Sequence, residues 1–123
     1  MVNVVFNTLE DENKSSEFIN FVNSLPQKDK MKLLLTIQKI QDYGIRQAIK
    51  MEWVKKLDDG IYEIRSKLGN NHQRALYFQK IGNEYIITHG FTKKTKKTPP
   101  REILRSKKMI ERYKRGELNE LNF

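Results

Sequence analysis

The residues with the clearest chemistry are basic side chains set on and just after alternating apolar segments. Arg65 and Lys67 sit in IYEIRSK (61–67), and Arg74 opens RALYF (74–78). Lys93, Lys94, Lys96 and Lys97 follow the segment EYIITHGF (84–91). Guanidinium and ammonium groups held on a strand and its adjoining loop bind phosphates. Fixed beside a reacting phosphate, they stabilise the charge that develops on it. Arg74 can lie across an antiparallel pair from the Arg65 region. Two cations side by side repel, and an anion bound between them relieves that repulsion. The plainer alternative leaves both arginines as exposed strand residues, one neutralised by Glu63, and the lysines as a solvated turn.

Other chemistry is thin. His89 lies near the end of its segment, close to the lysines, where an imidazole serves either as a proton carrier near neutral pH or as a structural residue. His72 falls in a turn. With no cysteine and two histidines in the chain, no metal site is expected, and no cofactor. No Ser-His-Asp order, glycine-rich phosphate loop or paired-carboxylate spacing stands out. The strand aromatics Tyr62, Tyr77, Phe78, Tyr85 and Phe91 read mostly as core, with one or two free to stack on a base.

Charge supports an anionic partner. The net charge is +9 over 123 residues. Residues 1–60 hold nine Lys/Arg and nine Asp/Glu, so the excess belongs to residues 61–123. Between Lys93 and Arg115 stand eleven Lys/Arg, Arg101 among them, against Glu102 and Glu111. Such a one-sided excess suits nucleic acid, an acidic protein or a membrane surface. The length suits one domain spanning 1–123. No apolar run reaches membrane-spanning length, and the N-terminus lacks the pattern of a secretory signal. The absence of cysteine is compatible with the cytoplasm, the expected location.

The elements that must position these groups follow from periodicity. Val2–Phe6 reads as a first strand and 8–13 as a loop. Ser15 or Ser16 caps a helix whose apolar face is Phe18, Phe21, Val22 and Leu25. Pro26 ends it. A second helix from about Gln27 to Tyr43 carries Met31, Leu34, Leu35, Ile37 and Ile40 as its apolar side, and Gly44 stops it. Residues 45–52 fit a short helix or a loop equally, and Trp53–Leu57 leads to the sheet. Segments 61–67, 73–81 and 84–91 read as three strands joined by hairpin turns, hence an antiparallel meander. A last helix starts at Pro99 or Pro100 and ends near Gly116, leaving 118–123 as a frayed tail. The order is βααβββα, an α+β fold with a small, largely antiparallel sheet. The helical hairpin covers one face, and Glu63, Arg65 and Lys67 look out from the other.

KKLDDGIYEIR (55–65), RALYF (74–78) and HGFTKKTKKTPPREI (89–103) resemble the phage-derived Gp49-like, or HigB-like, branch of the RelE/ParE toxin superfamily. The pattern F-x-K-K-T-x-K-T-P-x-x-E-I is the specific part, and the order βααβββα agrees. The resemblance implies a RelE-like fold and the toxin of a type II toxin–antitoxin module. The implied activity is that of a ribosome-dependent mRNA interferase, an endoribonuclease that works without metal by attack of the 2′-hydroxyl and inhibits translation. The implied partners are mRNA on the ribosome and a HigA-like helix-turn-helix antitoxin, with operator DNA reached only through the antitoxin complex. Carried over by position, the catalytic cations are Arg65, Arg74, Lys93, Lys94 and Lys96, with Lys97 a neighbour. Lys67, Lys97 and Arg101 extend the RNA-binding surface. Better-known RelE members carry a Tyr or His near the end of the fold, whereas the only aromatic in this last helix is Tyr113. Proton transfer therefore falls to His89, Glu63 or a lysine of lowered proton affinity. Two alternatives are a ParE-like gyrase poison, whose relatives generally lack the full set of cations, and a non-catalytic basic nucleic-acid-binding module.

Overall fold

The computed structural model describes residues 3–123. Stretches rich in β-branched and aromatic residues form the strands β1 (Val5–Glu10), β2 (Val54–Asp58), β3 (Ile61–Leu68), β4 (Asn71–Ile81) and β5 (Glu84–Lys93). A short β6 (Asn119–Leu121) follows near the C-terminus. All six join one mixed sheet in the order β2-β3-β4-β5-β1-β6. Strands β2 to β5 form the antiparallel meander, and β1 lies parallel to β5. The β3–β4 turn is tight because Gly69 accepts φ 60°, which a hairpin of this length demands.

The helices are α1 (Glu17–Ser24), α2 (Gln27–Tyr43), α3 (Ile45–Lys50) and α4 (Pro100–Lys114). Ser16 caps α1, its hydroxyl accepting from the Ile19 N–H at 3.3 Å. Helices α1 to α3 carry the chain across one sheet face, from β1 to the far edge at β2. Phe18, Val22, Leu33, Ile37 and Ile40 pack there on Phe6, Ile64, Ala75, Tyr77 and Ile87. Each such side chain, fully buried, contributes roughly 1.5–3 kcal/mol. Helix α1 lies so close to β5 that a β-carbon on Gly90 would stand 2.4 Å from the Phe21 ring.

Several expectations are corrected. The first strand is displaced toward the C-terminus and occupies residues read as loop; Val2 lies outside the described residues. Thr8 hides this strand in the sequence, because its polarity is satisfied internally by a 2.7 Å hydrogen bond to the Ile87 carbonyl. On α2 the buried stripe is Leu33, Thr36, Ile37 and Ile40, whereas Met31 and Leu35 are more than half exposed. Of the two readings open for residues 45–52, the helix holds over 45–50, while residues 54–58, read only as a lead-in to the sheet, are a full strand. The expected tail contains β6, paired antiparallel with β1, and Leu118 is buried beside it.

The correction that matters most concerns the second sheet face. It is not open. Helix α4 packs across it, with Met109 against Leu9, Phe78, Ile86 and Leu118. The sheet is thus covered on both faces over most of its area, and Glu63, expected at the surface, is buried. No helix of the described residues is long and apolar enough to cross a membrane.

Candidate functional site

Arg65 stands directly across from Arg74, and Lys67 across from His72. Arg74 in turn pairs with Phe91, and His72 with Lys93. Cross-strand partners share a face, so two rows cross the three strands: Arg65–Arg74–Phe91 and Lys67–His72–Lys93. Arg65 and Arg74 of the first row and all three residues of the second line an open cleft of about 880 Å³ beside the β3–β4 turn. Lys94 and Lys96, from the loop after β5, line it too, as do Met51 and Glu52 from the turn between α3 and β2. Glu52 holds φ 62°, a conformation uncommon outside glycine.

Arg74 is the most enclosed of the cations, 3% exposed. Its Nη1 donates to the Gln73 carbonyl at 3.0 Å. Its Nε lies 3.5 Å from Glu63 Oε1 and makes no hydrogen bond. Burial lowers its proton affinity, Glu63 opposes that, and Arg65 adds to it. A guanidinium stays charged through such a change. The one buried carboxylate beside this pair of arginines approaches Arg74, and a positive excess remains at the cleft floor.

Glu63 does more than neutralise. Its carboxylate accepts a 2.5 Å hydrogen bond from the Thr98 hydroxyl, which ties the far end of the lysine loop to β3. Within the loop, the Thr95 hydroxyl donates to the Lys97 carbonyl at 2.6 Å. The loop is thus anchored by β5 at one end and by Thr98 at the other. Lys93, at its start, has lowered proton affinity, from burial first and then from Arg74, with Glu63 opposing and Arg65 and Lys55 adding to it.

Most of the expected site residues converge: Arg65, Lys67, Arg74, Lys93, Lys94 and Lys96 all line the cleft. Lys97 and Arg101 do not; both are exposed outside it, and Arg101 Nε lies 4.0 Å from Glu102. Nor does His89 reach the cleft. It is 1% exposed, beneath α4. Its Nε2 is 3.1 Å from Glu102 and its Nδ1 3.1 Å from the Thr88 hydroxyl, which also meets Ser106 at 2.9 Å. Burial lowers the proton affinity of His89, against the hydrogen bond and charge of Glu102.

The histidine in the cleft is His72. Sequence reasoning placed it in a turn, but β4 begins at Asn71, so His72 alternates with Arg74 on one face. The available signal was the spacing of two between them. Its proton affinity is lowered by partial burial first, then by Arg74, Lys67, Lys93 and Arg65.

The family model described as phage derived protein Gp49-like (DUF891) matches residues 20–111 and spans every residue of the cleft. No curated protein matches the sequence.

Proposed function

The chain belongs to the phage-derived Gp49-like family, and we propose that it is a toxin that inhibits translation by cutting mRNA on the ribosome. Membership of the family supports a toxin-like role. The single observation that carries the enzymatic reading is the pairing of Arg65 with buried Arg74 at the floor of a lysine-lined cleft.

In this reading the scissile phosphate lies between Arg65 and Arg74. The ribose 2′-oxygen attacks phosphorus, the bond to the 5′-oxygen breaks, and a 2′,3′-cyclic phosphate forms. The two guanidiniums stabilise the charge gathering on the non-bridging oxygens. Lys93, whose proton affinity is lowered, supplies a proton to the departing 5′-oxygen. Lys67, Lys94 and Lys96 hold flanking phosphates, which makes binding salt-dependent. The family resemblance supplies the remaining context of a HigA-like antitoxin. An acidic antitoxin segment laid across Arg65 and Arg74 would block the cleft.

Primer extension on mRNA, with and without ribosomes, tests the reading. Discrete cuts that require ribosomes and vanish in Arg65→Ala are expected. Toxicity without mRNA cleavage would overturn it, and a DNA-damage response in that case would point to gyrase. Tight RNA binding with no cleavage would leave a binding module.

A further inference from the structure

Resting on the reading of the cleft as an mRNA-cutting site, we propose that His72 is the base that takes the 2′-hydroxyl proton. His72 occupies the middle strand of three, flanked in register by Lys67 on β3 and Lys93 on β5. On its own strand it is two residues from Arg74, so both side chains face the same cleft. Neighbouring positions on one face of a strand lie about 7 Å apart. An attacking 2′-oxygen stands about 3–3.5 Å from the phosphorus, and a base within hydrogen-bond reach of that oxygen on its far side stands about 6 Å from the phosphate, a separation that two residues on one strand face can span.

The charges around the imidazole suit it to this role. Acting on it are Arg65 and Lys67 from β3, Arg74 from β4 and Lys93 from β5, and Lys94 and Lys96 from the loop line the same cleft. The carboxylate lining the cleft, Glu52, stands exposed on its own turn. Partial burial, followed by this ring of cations, lowers the proton affinity of His72 below the ordinary histidine range. The free imidazole is then neutral at neutral pH and ready to accept a proton, while Lys93 remains an ammonium ready to give one. A bound phosphate offsets the neighbouring positive charge and raises the proton affinity of the imidazole as the reaction needs it.

The proton balance closes. His72 receives the proton from the 2′-hydroxyl as the O2′–P bond forms. Lys93 gives a proton to O5′ as the P–O5′ bond breaks. Transfer from the imidazolium to Lys93 through water restores both groups.

The test is single-turnover cleavage of ribosome-bound mRNA by wild type, His72→Gln, His72→Ala and Glu52→Gln across pH 5 to 8.5. Binding of an RNA that is 2′-deoxy at the cut site is measured beside it, and folding is checked by circular dichroism. Loss of the base is expected to slow cleavage by about 10²–10⁴, with binding of the deoxy RNA nearly unchanged. Wild type and Glu52→Gln should lose rate as pH falls below about 6.5, the ordinary histidine value, and His72→Gln should lack that limb. Added imidazole should partly restore His72→Ala. An RNA with sulfur in place of the bridging 5′-oxygen, which leaves without a proton, should not rescue His72→Gln.

Wild-type rate and pH profile in folded His72→Gln would overturn the proposal and leave the function standing. So would rescue by the sulfur leaving group, or weaker binding with unchanged maximal rate. A wild-type protein that cuts no RNA would overturn both.

Discussion

His72 and His89 lie on the same face of the sheet, two pairing rows apart, in opposite surroundings. Arg74 separates them along β4, since His89 pairs with Leu76. His89 lies beneath α4 and is fastened by Glu102 and Thr88. His72 lies past that cover, in the cleft, among cations. Each imidazole has lowered proton affinity with burial as the largest cause. The difference lies in what else surrounds them. Around His89 the polar groups satisfy one another, as Thr88, Ser106 and Glu102 close a buried network. Around His72 the charges are all of one sign except Glu52, and an anion from outside completes them. Placement under a helix turns one part of a continuous face into structure and leaves the other part for binding.

The largest effect that would break this comparison is at the cleft floor. Arg65→Ala should fold as wild type, and its cleavage rate should fall by about 10²–10³, the loss expected for one donor to a developing charge. Full activity in that variant would remove the cleft from the chemistry. Arg74→Ala should lose a similar factor and also some stability, since Glu63 would lose its buried cation.

On the other face, Gly90→Ala should destabilise by about 1–3 kcal/mol in urea unfolding, because the added carbon meets the Phe21 ring. Cleavage at low temperature, where the variant is still folded, should be little changed. A neutral outcome would mean that α1 can move away from β5 at no cost.

Thr98→Val sharpens the link between the two regions. Losing the hydroxyl that donates to Glu63 should remove about 1 kcal/mol of stability. It should also weaken RNA binding more at low salt than at high, since the loop lysines lose their anchor and their attraction to phosphate is strongest where it is least screened.

The pH dependence of stability separates the histidines directly. The buried ring of His89 resists protonation when folded, while the unfolded chain takes up a proton near pH 6.5. Between those values the unfolded state holds more protons. Stability is therefore full above about pH 6.5 and falls as pH drops below it. Urea midpoints at pH 7.5 and 5.5 should show this fall, and His72→Gln should keep most of it. The smallest effects belong outside the cleft: Lys97→Ala and Arg101→Ala should each change RNA binding by about 0.5 kcal/mol or less.

The chain's own pattern was a good guide wherever one face of an element repeats. The α1 face was legible from Phe18 and Val22, and the meander from IYEIRSK and EYIITHGF. It was a poor guide where burial is polar or pairing is remote. Thr8 is buried because its hydroxyl finds a carbonyl far along the chain, so its strand looked like loop. Three residues of β6 are too few to show a period. On α2 the apolar residues spread around the helix, and packing chose Leu33 over Met31 and Leu35. In the cleft, the cations were visible from strand alternation and from the lysine run. His72 is hidden in the sequence because the strand begins two residues earlier than its composition suggests.

By itself the sequence determined that a basic site stands on the later strands and their loop, because charge sign and strand period are local properties of the chain. It also determined the α+β class and the positions of Arg65, Arg74 and the lysines. Only the tertiary structure decided which of these groups meet. The path of α4 across the second face is set by packing of Met109 on Phe78 and Ile86, contacts between residues far apart in the chain. That path buries Glu63 and His89, ties the loop through Thr98, and leaves His72 in the open cleft.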